Sequence, residues 1–283
     1  MTAALFAVVA AALSACGTSA VQGELKNGYL PHGVTDNSRL VTDIWVGSWI
    51  AALAVGALVL GLTFWCMAVY RKKKDDDTLP PQLQYNVPLE ILYTVVPVLM
   101  VTVIFYWTAK FETDIYSTDK PATNVVNVVG KQWSWDINYV SGSAHTVGEH
   151  AQMRAGKPGV EATLPTLYLP VNERTEFQLT SRDVIHSFWV PQFLQKLDMI
   201  PGRVNIMQVT PTEEGTYKGK CAELCGAYHS QMLFNVKVVS RAEYDQYIKD
   251  LKANGGDGLL DNGNNRMPII EKDERKLENT GSN

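Results

Sequence analysis

The sequence predicts a transmembrane α-helical hairpin of two helices followed by an all-β domain, and three observations carry that prediction. Two long apolar stretches lie before residue 110; short β-patterned segments punctuated by Pro and Gly fill the middle; and the composition changes abruptly near Thr113. The 283 residues carry 25 Lys and Arg against 29 Asp and Glu, with 46% hydrophobic and 19% charged residues. That mix excludes a disordered or fibrous chain. A pI near 5.8 argues against nucleic acid as a partner, because phosphate binding needs a basic surface. A mean hydropathy of −0.07 excludes a polytopic membrane protein yet leaves room for one or two spans.

Residues 1–15 are apolar and end in small residues, too short for a comfortable span, and read as a signal peptide. Leu13-Ser14-Ala15-Cys16 resembles the lipobox of bacterial lipoproteins, which implies lipidation at Cys16, although no Lys or Arg precedes the apolar run. A plain signal peptide cleaved nearby is the alternative, and either reading exports segment 16–40. Ile44 to Tyr70 holds no charged residue and reaches about 40 Å as a helix, enough for the ~30 Å hydrocarbon core. Trp45, Trp49, Trp65 and Tyr70 lie towards its ends, where amphipathic rings favour the lipid–water interface. The second stretch runs from about Pro88 to Thr108 and carries Glu90 near its start. Arg71-Lys72-Lys73-Lys74 between them marks the connecting loop 71–87 as cytoplasmic. The hairpin therefore covers 41–112 with both ends outside.

Residues 113–252 read as the β domain. Trp133-Ser134-Trp135-Asp136-Ile137-Asn138-Tyr139 alternates with a period of two, the strand signature, after a valine-rich run from Val125 to Val129. Further β-rich runs are Leu164–Leu169, Glu173–Thr180, Val184–Val190, Val204–Thr210, Gly215–Lys220 and Met232–Val239. So many short strands mean a sandwich or barrel. The stretch around 141–163 reads as a long loop or insertion, Arg241 to Lys252 as a helix, and 253–283 as a flexible tail.

The chemistry is concentrated in one loop. Cys221, Cys225, His229 and Met232 fall between two predicted strands, and His186 lies about thirty-five residues earlier. Thiolate, imidazole and thioether are soft or borderline ligands that together select copper over Mg²⁺ or Ca²⁺. A single blue-copper site needs one Cys, whereas two Cys and two His suit a dinuclear centre bridged by both sulfurs. A Cys221–Cys225 disulfide and a zinc site of two Cys and two His are the competing readings; both leave Met232 unexplained.

His186 followed by Cys221-Ala222-Glu223-Leu224-Cys225-Gly226, His229 and Met232 resembles the CuA motif of cytochrome c oxidase subunit II. The resemblance implies a cupredoxin-like domain behind the hairpin. It implies Cys221 and Cys225 as bridging thiolates, His186 and His229 as one ligand to each copper, Met232 as a weak axial ligand, and the Glu223 carbonyl as its counterpart. The Glu223 carboxylate would face a Mg²⁺ shared with subunit I. Gln132-Trp133-Ser134-Trp135 resembles the family's aromatic strand, implying that Trp133 takes the electron from cytochrome c. Asp198-Met199-Ile200-Pro201-Gly202-Arg203 resembles the segment lying against subunit I, and Glu90-Ile91-Leu92-Tyr93-Thr94 the mouth of a proton channel at Glu90.

The implied function is the electron-accepting subunit of an aa3-type, proton-pumping oxidase that reduces O₂ to water, in the cell membrane. Subunits I and III are the implied partners, with haems only in partner subunits. The donor would be cytochrome c, or a membrane-bound cytochrome c of a bc1 complex, because no C-x-x-C-H haem motif occurs here. A quinol oxidase subunit would lack the Cys and Met ligands. A lipid-anchored copper carrier would need neither Glu90 nor the Asp198–Arg203 segment. His32, His145 and His150 read as surface residues, and Cys66 as a packing residue.

Overall fold

The computed structural model describes residues 19–71, 79, 82–151 and 160–260. Cys16, most of the connecting loop, the centre of the insertion and residues 261–283 lie outside the described residues.

The chain divides into two units, one comprising residues 1–29 and 40–115 and the other 30–39 and 116–283. In the first, α1 (Ser19–Lys26) precedes α2 (Ser38–Val69) and α3 (Val87–Tyr116). The most apolar 18-residue stretches of α2 and α3 have mean hydropathies of 2.2 and 2.1, and none of either stretch is buried in the protein. Helices of 32 and 30 residues with that exposure are long enough to cross a bilayer. Asn86 caps α3: its Oδ1 accepts Leu89 N at 3.3 Å, while Glu90 Oε1 accepts Asn86 N at 2.9 Å. Glu90 thus closes a reciprocal cap at the helix start. Pro97 sits inside α3, a position membrane helices tolerate.

The second unit is a two-layer β-sandwich. One sheet has the order β3-β2-β1-β5-β8 and the other β4-β10-β9-β6-β7. The strands are β1 (Asn124–Lys131), β2 (Ser134–Tyr139), β3 (Ala144–Val147), β4 (Thr166–Pro170) and β5 (Thr175–Ser181). They continue with β6 (His186–Val190), β7 (Gln195–Met199), β8 (Asn205–Val209), β9 (Gly215–Cys221) and β10 (Leu233–Val239). β1 runs parallel to β5 and β10 parallel to β4; every other pair is antiparallel. Alternate residues turn inward, so Val126, Val128, Trp135, Ile137, Phe177 and Phe188 meet in the core at 2% exposure or less. α4 (Arg241–Leu251) is capped by the Ser240 hydroxyl, which accepts Glu243 N, and buries Tyr244 and Ile248 against the core cluster.

Three segments depart from the sequence reading. The insertion is not all loop: residues 144–147 form β3, paired to β2 from Asp136↔Val147 to Tyr139↔Ala144. The tail begins later than 253, since Asp257 bridges Ala144, Gly258 N donates to Ser143 O at 3.0 Å and Leu260 N to Asn138 Oδ1 at 2.8 Å. The exported segment contributes a strap to the sandwich. Val34 is 2% exposed, and the Asp36 carboxylate accepts Thr210 N, Thr210 Oγ1 and Arg174 NH2 at 2.9–3.0 Å.

Candidate metal centre

Strand register explains why residues distant in sequence meet. β6 and β9 pair with Phe188 opposite Cys221, so His186, two residues earlier on the same face, lies beside the end of β9. Cys221 N donates to Met232 O at 3.0 Å, closing the neck of the β9–β10 loop. Inside that loop His229 N donates to Gly226 O at 3.1 Å and Met232 N to His229 O at 3.2 Å. These tight turns fold Cys225, His229 and Met232 back towards Cys221. Gly226 has φ +119°, and a Cβ there would lie 3.0 Å from the Trp133 ring, so both backbone and neighbour require glycine.

The donor atoms fall into two groups around two sulfurs. Cys221 Sγ lies 3.8 Å from His186 Nδ1 and 3.2 Å from Glu223 O. Cys225 Sγ lies 3.6 Å from His229 Nδ1 and 3.8 Å from Met232 Sδ. The sulfurs are 3.8 Å apart and both cysteines are free, which excludes the disulfide reading. Ligands about 2.3 Å (sulfur) and 2.0–2.1 Å (nitrogen) from one tetrahedral ion stand roughly 3.5–3.8 Å apart. The observed separations match, so the residues present fit a metal, and their softness fits copper. His186, Cys221 and Cys225 are buried, and their ligand atoms lie within 4.8 Å of one another. Met232 is also buried, whereas the Glu223 side chain is exposed although its carbonyl turns inward.

The imidazole and thiols are poised electrostatically. His186 Nε2 lies 2.8 Å from Asp183 Oδ1, leaving Nδ1 directed at Cys221. Burial opposes the charged imidazole, but hydrogen bonds with Cys221 and Asp183 outweigh it and raise its pKa. Burial also works against the Asp183 carboxylate, yet N–H donors from Gln132, His186 and Val184 hold its pKa below the usual value. Burial disfavours the Cys221 thiolate, while hydrogen bonding with His186 prevails and brings its pKa to about 7. Burial and the neighbouring Cys221 sulfur push Cys225 up to about 12. The two thiols are thus set apart, the Cys221 proton being held less tightly than that of Cys225.

Trp133 lies beside this group: its indole Nε1 donates to Cys225 O at 3.0 Å, and Gln132 Nε2 donates to the same carbonyl at 2.8 Å. The Tyr228 ring is 5.1 Å away, centroid to centroid. Sequence reading missed Asp183 and His150; the latter's Nδ1 lies 2.9 Å from Gln132 O. Asp183 carried a signal, a carboxylate three residues before a candidate ligand histidine. His150 carried none, because its partner is main chain. Glu90 belongs to the hairpin unit, and Cys16 lies outside the described residues. His32 pairs with Glu213 at 2.8 Å on the surface.

Fold and site together define a protein with two membrane-length helices, a cupredoxin-like sandwich and, at one end of that sandwich, a His/Cys/Cys group that fits a soft metal. The family model for cytochrome c oxidase subunit II, periplasmic domain, matches residues 124–239, from the first residue of β1 to the last of β10. A probable cytochrome c oxidase subunit 2 of Streptomyces coelicolor is 42% identical, covering 92% of this chain and 90% of that one. Cytochrome c oxidase subunit 2 of Mycobacterium tuberculosis is 34% identical, over 87% of this chain and 80% of that one. The crystal structure of the periplasmic domain of subunit II of cytochrome oxidase from Bradyrhizobium japonicum is 31% identical, with a TM-score of 0.43, covering 48% of this chain and 97% of that one. The chain belongs to the cytochrome c oxidase subunit 2 family, and is thus a subunit of a haem–copper terminal oxidase.

Proposed function

We propose that this chain is the electron-accepting subunit of its oxidase and that its loop holds a dinuclear CuA centre. The observation that carries this is the division of donors around two sulfurs 3.8 Å apart, His186 and Glu223 O on one and His229 and Met232 on the other. His186, Cys221, the Glu223 carbonyl, Cys225, His229 and Met232 would together hold two copper ions, whereas a single zinc ion would leave some of these donors idle. When bound, the copper pair supplies a one-electron carrier between cytochrome c and the haem of subunit I, whose reduction of O₂ to water drives proton translocation.

The chain's own residues set the conditions for that transfer. Asp183 orients His186 through Nε2 and so fixes which nitrogen is free for metal. Burial of both sulfurs excludes water and holds the geometry through a redox cycle. Trp133 serves as the point of electron arrival, supported by its half-buried indole and its 3.0 Å bond to the Cys225 carbonyl. The exposed Glu223 carboxylate is free to meet Mg²⁺ at subunit I. The Ile200–Arg203 turn, solvent-exposed from Pro201 to Arg203, supports docking there. Glu90, at the start of a membrane-length helix, stands at the cytoplasmic mouth of a proton path. Subunit III completes the complex, and cytochrome c, free or membrane-bound with a bc1 complex, donates. Cys16 is assigned as a lipid-bearing N-terminus; mass spectrometry of the mature chain tests it. For the function itself, Trp133→Phe in the assembled oxidase should slow oxidation of cytochrome c severely while copper content stays at the parent value. Parent turnover in that variant would remove Trp133 from the pathway.

A further inference from the structure

Behind the Trp133 turn lies a charged group that metal binding does not use. The Asp136 carboxylate is 1% exposed and receives Lys131 Nζ on Oδ1 at 2.6 Å and Arg182 NH2 on Oδ2 at 3.1 Å. Gly148 N adds a bond to Oδ1 at 3.3 Å. Lys131 is itself 6% exposed. It ends β1, Asp136 lies in β2, and Arg182 lies in the β5–β6 connection, so one carboxylate ties three segments together.

Each cation is the immediate neighbour of a residue at the site. Lys131 precedes Gln132-Trp133, and Arg182 precedes Asp183. The main chain repeats the link, since Arg182 N donates to Gly130 O at 3.0 Å and Gln132 N to Asp183 Oδ2 at 2.7 Å. Burying the Asp136–Lys131 pair is a poor way to gain stability, because desolvation offsets most of the attraction and apolar residues of similar size fold as well. Ionic groups do, however, fix one geometry where apolar packing tolerates several.

We propose that Asp136 is a positioning residue for electron transfer: through Lys131 and Arg182 it locks the Trp133 turn against the Asp183–His186 pair, so that indole and imidazole keep one spacing. This rests on the roles read above for Trp133 and His186. Two carboxylate oxygens serve two cations. A carboxamide offers one acceptor and turns N–H groups towards the other cation, so Asp136→Asn releases one of the two segments.

The sensor is the Gln132 amide, whose proton is held by Asp183. Hydrogen exchange is read by NMR on the full-length chain in detergent, copper-free and copper-loaded, and reduction by cytochrome c in the assembled oxidase. Asp136→Asn and Arg182→Gln should each speed Gln132 exchange by about tenfold or more in both metal states. Each should also slow electron acceptance by about tenfold or more, with copper content unchanged. Arg182→Lys, which keeps the charge, should restore most of both. A folded Asp136→Asn protein with parent exchange at Gln132 overturns the proposal, as does a shift in copper potential with neither effect. If Asp136→Asn does not fold, Arg182→Gln decides, because its side chain is 31% exposed and tolerates the change. A Trp133→Phe oxidase that accepts electrons normally would refute the role of Trp133 alone, leaving the exchange result to judge the lock.

Discussion

Gly130→Ala probes how tightly the sandwich grips the His186 imidazole proposed to bind copper. A Cβ at Gly130 would sit 2.9 Å from His186 Cδ2, 3.1 Å from Cγ and 3.2 Å from Cβ. Carbon atoms rest at about 3.5–4.0 Å, so the imidazole must retreat by roughly 0.5 Å. It has little room: it is fully buried, Asp183 holds Nε2 at 2.8 Å, and the Trp135 ring lies 6.5 Å away, centroid to centroid. Overpacking of this kind costs about 1–3 kcal/mol. At roughly 3–5 °C per kcal/mol for a domain of this size, near-UV melting of the metal-free chain should fall measurably. Displacing one ligand should also weaken copper uptake, so titration with copper separates this variant from a purely structural one. Gly219→Ala is the control. Its Cβ would strike the Phe234 ring at 2.2–2.5 Å, so it should lose stability while copper stoichiometry holds. Parent melting and parent copper uptake in Gly130→Ala would mean that the His186 imidazole has room to move.

Three further outcomes are expected. Met232→Leu should keep both coppers, read by metal analysis, but shift the potential and slow electron transfer; complete metal loss would mean that the thioether is essential rather than weak. In the metal-free chain the Asp183 contribution to stability is present above about pH 4 and lost as pH falls through its lowered pKa. The His186 contribution is full below about pH 6.5 and lost as pH rises through its raised pKa. Asp183→Asn should therefore destabilise most between those limits in a denaturant–pH series, and a uniform loss from pH 4 to 9 would contradict the pairing. Shortening the insertion within 152–159, which spares β3 and the Ala151 N to Trp133 O bond, should slow turnover with the native donor but not with an artificial reductant; equal rates with both would remove the insertion from donor docking.

Apolar length and the spacing Cys221, Cys225, His229, Met232 made the hairpin and the candidate metal loop legible, because both are properties of local sequence. Eight of the strands were visible as β-branched or aromatic runs for the same reason. β7 was not: Gln195-Lys196-Leu197-Asp198-Met199 is polar, and its strand state comes from pairing with β6. β3 was hidden in an Ala-, Ser- and Gly-rich stretch whose order comes from β2. The run from Val184 reads as strand, yet β6 starts at His186, because the Asp183 carboxylate takes Val184 N in a local turn. The groups that hold the site steady, Asp136 with its two cations and His150 on the Gln132 carbonyl, depend on contacts between segments that no local pattern encodes.

Copper loading of the full-length chain, followed by metal analysis and by near-infrared and EPR spectroscopy, tests the dinuclear centre most directly. Two coppers per chain, with one unpaired electron spread equally over both nuclei, is the predicted result. Uptake of a single zinc ion, or a spectrum of isolated mononuclear copper, would contradict it.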